Sequence, residues 1–136
     1  MDSAKKKIIK EISKILLEHG CSLAVIFGSF VTRQQYRDID IMVAMKGGRP
    51  PEPEETLYLA QLIEKAIGKP CDIISINAPN VLLQAEIARN GIPIILQNKD
   101  LWEEFRWRAW IDEKDFRPLI EKFYEKRFGI KQRQNT

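Results

Sequence analysis

The sequence predicts an α/β domain, a central sheet with helices packed against it, and three observations carry that prediction. Short β-prone runs alternate with longer stretches whose apolar residues recur at three and four positions. The Gly and Pro clusters fall between those runs. A length of 136 residues with 44% hydrophobic content suits one core of ordinary size, and 30% charged residues with seven Gly and seven Pro exclude a disordered, collagen-like or low-complexity chain.

Ser3 is expected to cap a first helix, in which Ile8, Ile9, Ile12, Ile15, Leu16 and Leu17 form the apolar stripe and which ends before Gly20. Leu23 to Phe27 reads as a strand. Gly28-Ser29 opens a turn and one short helix, and Asp38 to Met45 reads as the second strand. Lys46 to Pro53, with Gly47-Gly48 and Pro50-Pro51, is the clearest loop, and a helix follows from about Glu54 to Ile67, stopped by Gly68 and Pro70. Cys71 to Ile76 is the third strand, Asn77 to Asn90 the third main helix with Gly91 as its left-handed cap, and Ile92 to Leu96 the fourth strand. Everything beyond residue 99 reads as helical. Its rings, Trp102, Phe105, Trp107, Trp110, Phe116, Phe123, Tyr124 and Phe128, stand roughly at helical spacing. They are expected to pack a C-terminal arm onto the sheet or a subunit partner; a base-stacking platform is the alternative. Asp112 or Asp115 would cap the last helix, with Pro118 in its first turn. The organisation expected is therefore a core over residues 1–98 and a helical arm over 99–136, packed as one unit.

Several function classes are set aside by composition. No apolar run approaches the roughly 18 residues that span a bilayer. Lys5, Lys6 and Lys7 precede an apolar stretch interrupted by Lys10, Glu11 and Lys14, which reads as an amphipathic helix rather than an export signal. Cys21 and Cys71 are then expected as free thiols in a reducing cytoplasm. With His19 as the one histidine they cannot complete a four-ligand zinc site, and triad chemistry is equally poorly supplied. The net charge of +3 is basic at both ends and slightly acidic in the middle, an excess too mild to demand nucleic acid. No P-loop signature is present.

The carboxylates carry what chemistry remains. Asp38 and Asp40 stand two residues apart at the start of a strand, so both project from one face while Ile39, Ile41 and Val43 face the core. Two carboxylates about 6 to 7 Å apart suit oxygen-loving cations such as Mg²⁺; the plainer alternative is an exposed acidic strand end. Upstream, Leu23 to Phe27 delivers the chain to Gly28-Ser29, where a glycine lets backbone N–H groups approach a phosphate. Asp72 opens another apolar strand. If that strand lies beside the first pair its carboxylate joins theirs, and if not it merely ends the preceding loop.

Phe27-Gly28-Ser29, eight further residues and Asp38-Ile39-Asp40-Ile41 resemble the signature of the DNA polymerase beta superfamily of nucleotidyltransferases. The stretch from Cys71 to Pro79, with Leu82 to Ile87, Gly91-Ile92-Pro93 and Ile94 to Leu96, is similar to its minimal nucleotidyltransferase (MNT) branch. The resemblance covers about residues 8–97. It implies a small mixed sheet with flanking helices, ATP as substrate and two Mg²⁺ ions. It further implies that Gly28 and Ser29 hold phosphates and that Asp38, Asp40 and Asp72 bind the metals and serve catalysis. Arg33 and Arg37 are expected within reach of the triphosphate; the plainer alternative is that both are ordinary solvated loop residues. The partner it implies is a HEPN-domain toxin, silenced when AMP is transferred to one of its tyrosines; the added bulk and negative charge disfavour RNA binding. Here the turn after Gly-Ser reads Phe30-Val31-Thr32-Arg33-Gln34, without the family's second glycine. Two other readings remain: an antitoxin that neutralises its partner by contact alone, and nucleotidyl transfer to RNA or a small molecule.

Overall fold

The computed structural model describes residues 1–112. Helix α1 (Ser3–Glu18) is followed by β1 (Cys21–Phe27), the single-turn α2 (Ser29–Thr32), β2 (Ile39–Met45), α3 (Pro53–Ile67), β3 (Cys71–Ser75), α4 (Val81–Asn90) and β4 (Ile92–Leu96). A last helix, α5, runs from 99 to 112, where the described residues end. The strands form one sheet in the order β3-β2-β1-β4. β1 pairs antiparallel with β2 and β4, and β2 pairs parallel with β3, so the sheet is mixed, as expected. No helix among the described residues is long and apolar enough to cross a membrane.

The alternation of side chains along β2 sorts the core into two layers. Ile39, Ile41 and Val43 meet Ile12 and Leu16 of α1 and Leu59, Ala60 and Ile63 of α3 on one face. Met42 and Ala44, with Leu23, Val25 and Phe27 of β1, meet Ile87 of α4 and Trp102 and Phe105 of α5 on the other. Both central strands are therefore covered on both sides, which is why β1 is buried along its whole length and reads as a continuous apolar run. The expectation that the rings beyond residue 99 pack onto the sheet holds for Trp102 and Phe105, whereas Trp107 and Trp110 are exposed and stack on each other with centroids 5.2 Å apart. Phe116, Phe123, Tyr124 and Phe128, and the cap assigned to Asp115 and Pro118, lie outside the described residues; Asp112 sits within α5.

Several boundaries and caps differ from the sequence reading, each for a local reason. Asp2, not Ser3, caps α1: its carboxylate accepts the Lys5 N–H at 2.8 Å, and a charged acceptor is better placed against the helix dipole than a hydroxyl. β1 begins at Cys21 and β2 at Ile39, where pairing with neighbouring strands begins, rather than at Leu23 and Asp38. α4 begins at Val81 rather than Asn77, because Pro79 disfavours helical geometry at Ala78 and Asn80 then caps the helix through Leu83 N–H at 2.9 Å. Gly91 is extended (φ −64°, ψ 143°) and not a left-handed cap. The glycine is required by crowding instead, since a Cβ there would lie 2.4 Å from the Ile87 carbonyl oxygen and 2.7 Å from Val25 Cγ1.

Candidate active site

β1 ends at Phe27 and the chain turns at Gly28, whose φ of +76° and ψ of −154° belong to a region that only glycine occupies without strain. The Gly28 carbonyl then accepts the Val31 and Thr32 N–H groups at 3.0 and 3.1 Å, and Ser29 O accepts from Arg33 at 2.9 Å. Those bonds close α2 and leave the leading amides of Ser29 and Phe30 outside them. Buried Phe30 anchors the turn in the α1/α3 core, so the bulky residue at this position is spent on packing.

The carboxylates come to this turn through strand register. Asp40 stands opposite Phe27 across the antiparallel β1–β2 ladder, which sets its side chain against Gly28. A Cβ on Gly28 would lie 2.5 Å from Asp40 Oδ2, so a hydrogen atom is all the turn has room for. Asp72 is the ladder partner of Asp40 across the parallel β2–β3 pair. Of the two readings of Asp72, the structure selects the one in which its strand lies beside that of Asp40. Asp38 precedes β2 and is exposed, as is Asp72, while Asp40 is half-buried.

The electrostatics follow from that placement. Burial raises the Asp40 carboxyl above its ordinary value, and the charges of Asp72 and then Asp38 raise it further. The same acidic field reaches the Cys71 thiol, pushed up to about 12 by burial first and then by Glu64, Asp40 and Asp72. Cys21, raised to about 11 by burial and Glu55, is equally inert; both thiols are free and buried. Among the described residues no group of three His, Cys, Asp or Glu side chains converges as a ready metal cage. The donor set nevertheless fits a hard divalent cation: its ligands are carboxylate oxygens only, and their mutual repulsion is what a positive charge would relieve.

Arg33 caps the C-terminal end of α2 with an exposed side chain, and Arg37 is exposed in the following loop; no hydrogen bond or ion pair among the described residues ties either guanidinium to the acids. Three neighbours of the turn were not singled out from sequence. The Lys5 ammonium donates to Phe30 O and Arg33 O, and both Lys5 and Lys69 lie over the Tyr36 ring. A signal for Lys5 was present, because it stands three, four and seven residues before Ile8, Ile9 and Ile12 and so on the apolar stripe of α1.

A strand, a glycine turn and a half-buried carboxylate on the adjacent strand are the arrangement that the nucleotidyltransferase resemblance leads one to expect. Residues 10–100 match the model of the polymerase beta nucleotidyltransferase family, and the chain belongs to that family. It is 28% identical over 89 residues, 65% of this chain and 96% of the relative, to "Putative protein adenylyltransferase MJ0435" of Methanocaldococcus jannaschii. Its fold is similar to that in a toxin–antitoxin crystal structure with AMP-PNP (TM-score 0.69, 20% identity, 85% of this chain and 97% of that one). It is likewise similar to the MntA-HepT toxin–antitoxin structure (0.67, 18%, 87% and 97%). A third match is the tri-AMPylated Shewanella oneidensis HEPN toxin in complex with MNT antitoxin (0.68, 18%, 88% and 98%).

Proposed function

We propose that this nucleotidyltransferase moves AMP from ATP to a hydroxyl, a tyrosine hydroxyl in our reading, of a partner HEPN-type toxin and so acts as its antitoxin in the cytoplasm. The observation that carries the proposal is the contact of Gly28 with Asp40. It sets the backbone of the glycine turn directly against a carboxylate whose ladder neighbour is also an acid.

In this reading Gly28 and Ser29 bind the β and γ phosphates through the leading amides of the turn and the Ser29 hydroxyl, and Arg33 closes on the triphosphate from the end of α2. Asp38, Asp40 and Asp72 would hold Mg²⁺, which when bound supplies charge neutralisation at the phosphates and polarises the reacting oxygens. The acceptor oxygen attacks the α-phosphorus, the bond to the β-phosphate oxygen breaks, and pyrophosphate leaves. Asp72, exposed at the rim, accepts the proton given up by the hydroxyl. In this reading residues 1–98 form the catalytic core, and the described part of the arm, residues 99–112, packs on it through Trp102 and Phe105. The exposed Trp107 and Trp110 beside Arg106 and Arg108 have the composition of an interface centre and suit the partner protein. Structural neighbours that pair an MNT antitoxin with a HEPN toxin support this choice of partner.

The test is transfer of label from α-³²P-ATP, with Mg²⁺, to the product of the neighbouring gene, beside an Asp38→Ala, Asp40→Ala double variant. Label on the partner that vanishes in the variant is expected. A stable complex without label would instead make the chain an antitoxin that acts by contact, and label appearing on RNA would move the acceptor out of the protein class.

A further inference from the structure

We propose that Lys5 is a positioning residue of this site: from α1 it fixes the α2 turn that carries Gly28 and Ser29 against Asp40. The inference rests on the reading of that turn as the phosphate-binding element. Among the described residues Lys5 is the one charged side chain that is buried, at 7% exposure. Among the described residues its ammonium has no ion-pair partner. It donates to the main-chain carbonyls of Phe30 at 2.6 Å and Arg33 at 2.5 Å, and stands 5.2 and 5.4 Å from the ring centroids of Phe30 and Tyr36. Burying an ammonium without a counter-charge is costly, and an apolar residue would fill this place on the stripe of α1 without that cost. What offsets the cost here is the set of groups the cation touches.

Those groups are the far end of α2. The last carbonyls of any helix lack intrahelical partners and carry the negative end of its dipole, and a cation placed on them satisfies both. α2 has four residues and three closing main-chain bonds, too few to hold its shape alone. Its position is therefore set from outside, by Phe30 in the core and by Lys5 at the carbonyls. The turn lies close to the carboxylate, since a Cβ on Gly28 would stand 2.5 Å from Asp40 Oδ2, so the place of the turn sets the distance between Gly28 and that side chain.

Lys5→Met keeps the length and apolar stem and removes the ammonium. Amide hydrogen exchange of the free protein reads the turn without any nucleotide, and steady-state kinetics read its use. Residues 29–33 are expected to exchange about 10-fold faster or more while α3 and β3 keep their protection. The KM for ATP should rise about 10-fold with kcat changed by less than about threefold, and Lys5→Arg, which keeps the charge and its donors, should recover part of both. Unchanged protection at 29–33 in a folded Lys5→Met protein overturns the proposal. So does protection lost evenly across α1, α3 and β3, the mark of a merely structural lysine. If Lys5→Met does not fold, Lys5→Gln, which retains an N–H donor, is read against the same outcomes. A wild-type chain that neither binds ATP nor releases pyrophosphate would overturn the proposed function, whereas the exchange result would still decide the role of Lys5.

Discussion

Asp40 is held where its charge is disfavoured, by burial and by the carboxylates of Asp72 and Asp38. Its folded pKa stands above its unfolded one, so between the two values the native state binds more protons than the unfolded chain. Stability therefore falls as pH rises through that window, and the penalty persists at neutral pH. Asp40→Asn removes the charge at nearly constant volume. It should raise Tm at pH 7 by about 2–5 °C, with the gain shrinking as pH falls toward 4, and abolish nucleotidyl transfer. Added Mg²⁺ should raise the Tm of the wild type and leave that of the variant almost unmoved, since a ligand that binds only the native state stabilises it. Thermal melts across that pH range, with and without Mg²⁺, check the stability effects, and label transfer from α-³²P-ATP checks the loss of activity. The two members of the Asp-x-Asp pair were legible from sequence as neighbours; that β2 begins only at Ile39, so that strand period two does not reach Asp38, and that the two are unequally buried was not, because both depend on which strand and turn lie alongside.

At the scale of elements, the glycine at residue 91 was read correctly as the end of α4 and wrongly as a left-handed cap. A C-terminal glycine after a helix is ordinarily a statement about φ, but here α4 runs straight into β4 under Val25 and the glycine is a statement about space. Gly91→Ala should accordingly destabilise by about 1–3 kcal/mol through overpacking, although alanine adopts these dihedrals freely. Urea denaturation measures it, and a neutral result would mean that Ile87 and Val25 can give way. The start of α4 was misread because apolar periodicity continues through Ile76 to Leu83 while the helix waits for Asn80 to supply a cap after Pro79.

For the molecule as a whole, the second core layer is shared between β1, β2, α4 and α5, so residues beyond 98 do more than decorate the domain. Trp102, 6% exposed and stacked on Phe105 with centroids 5.7 Å apart, is the ring on which that layer closes. Trp102→Ala should cost about 3–5 kcal/mol of unfolding free energy. Trp107→Ala, at a site 62% exposed, should change stability by no more than about 0.5 kcal/mol and instead weaken partner binding. Denaturation midpoints and a pull-down with the partner separate the two effects. The sequence placed both tryptophans on one helical arm but did not distinguish them, since helical spacing alone leaves open which face of α5 meets the sheet.

By itself the sequence determined the order and kind of the elements, the apolar stripe of α1, and the residues Gly28, Ser29, Asp38 and Asp40 as one candidate constellation. Those are properties of short segments, set by side-chain period, turn chemistry and spacing. The tertiary structure alone decided that Asp72 stands beside Asp40, that Gly28 leaves room for no more than a hydrogen against that carboxylate, and that Lys5 reaches across from α1 to the end of α2. The residues in these contacts lie 12, 25, 28 or 32 positions apart in the chain. Their meeting depends on the register of the parallel and antiparallel ladders and on the packing of α1 over the sheet, and no local pattern encodes either.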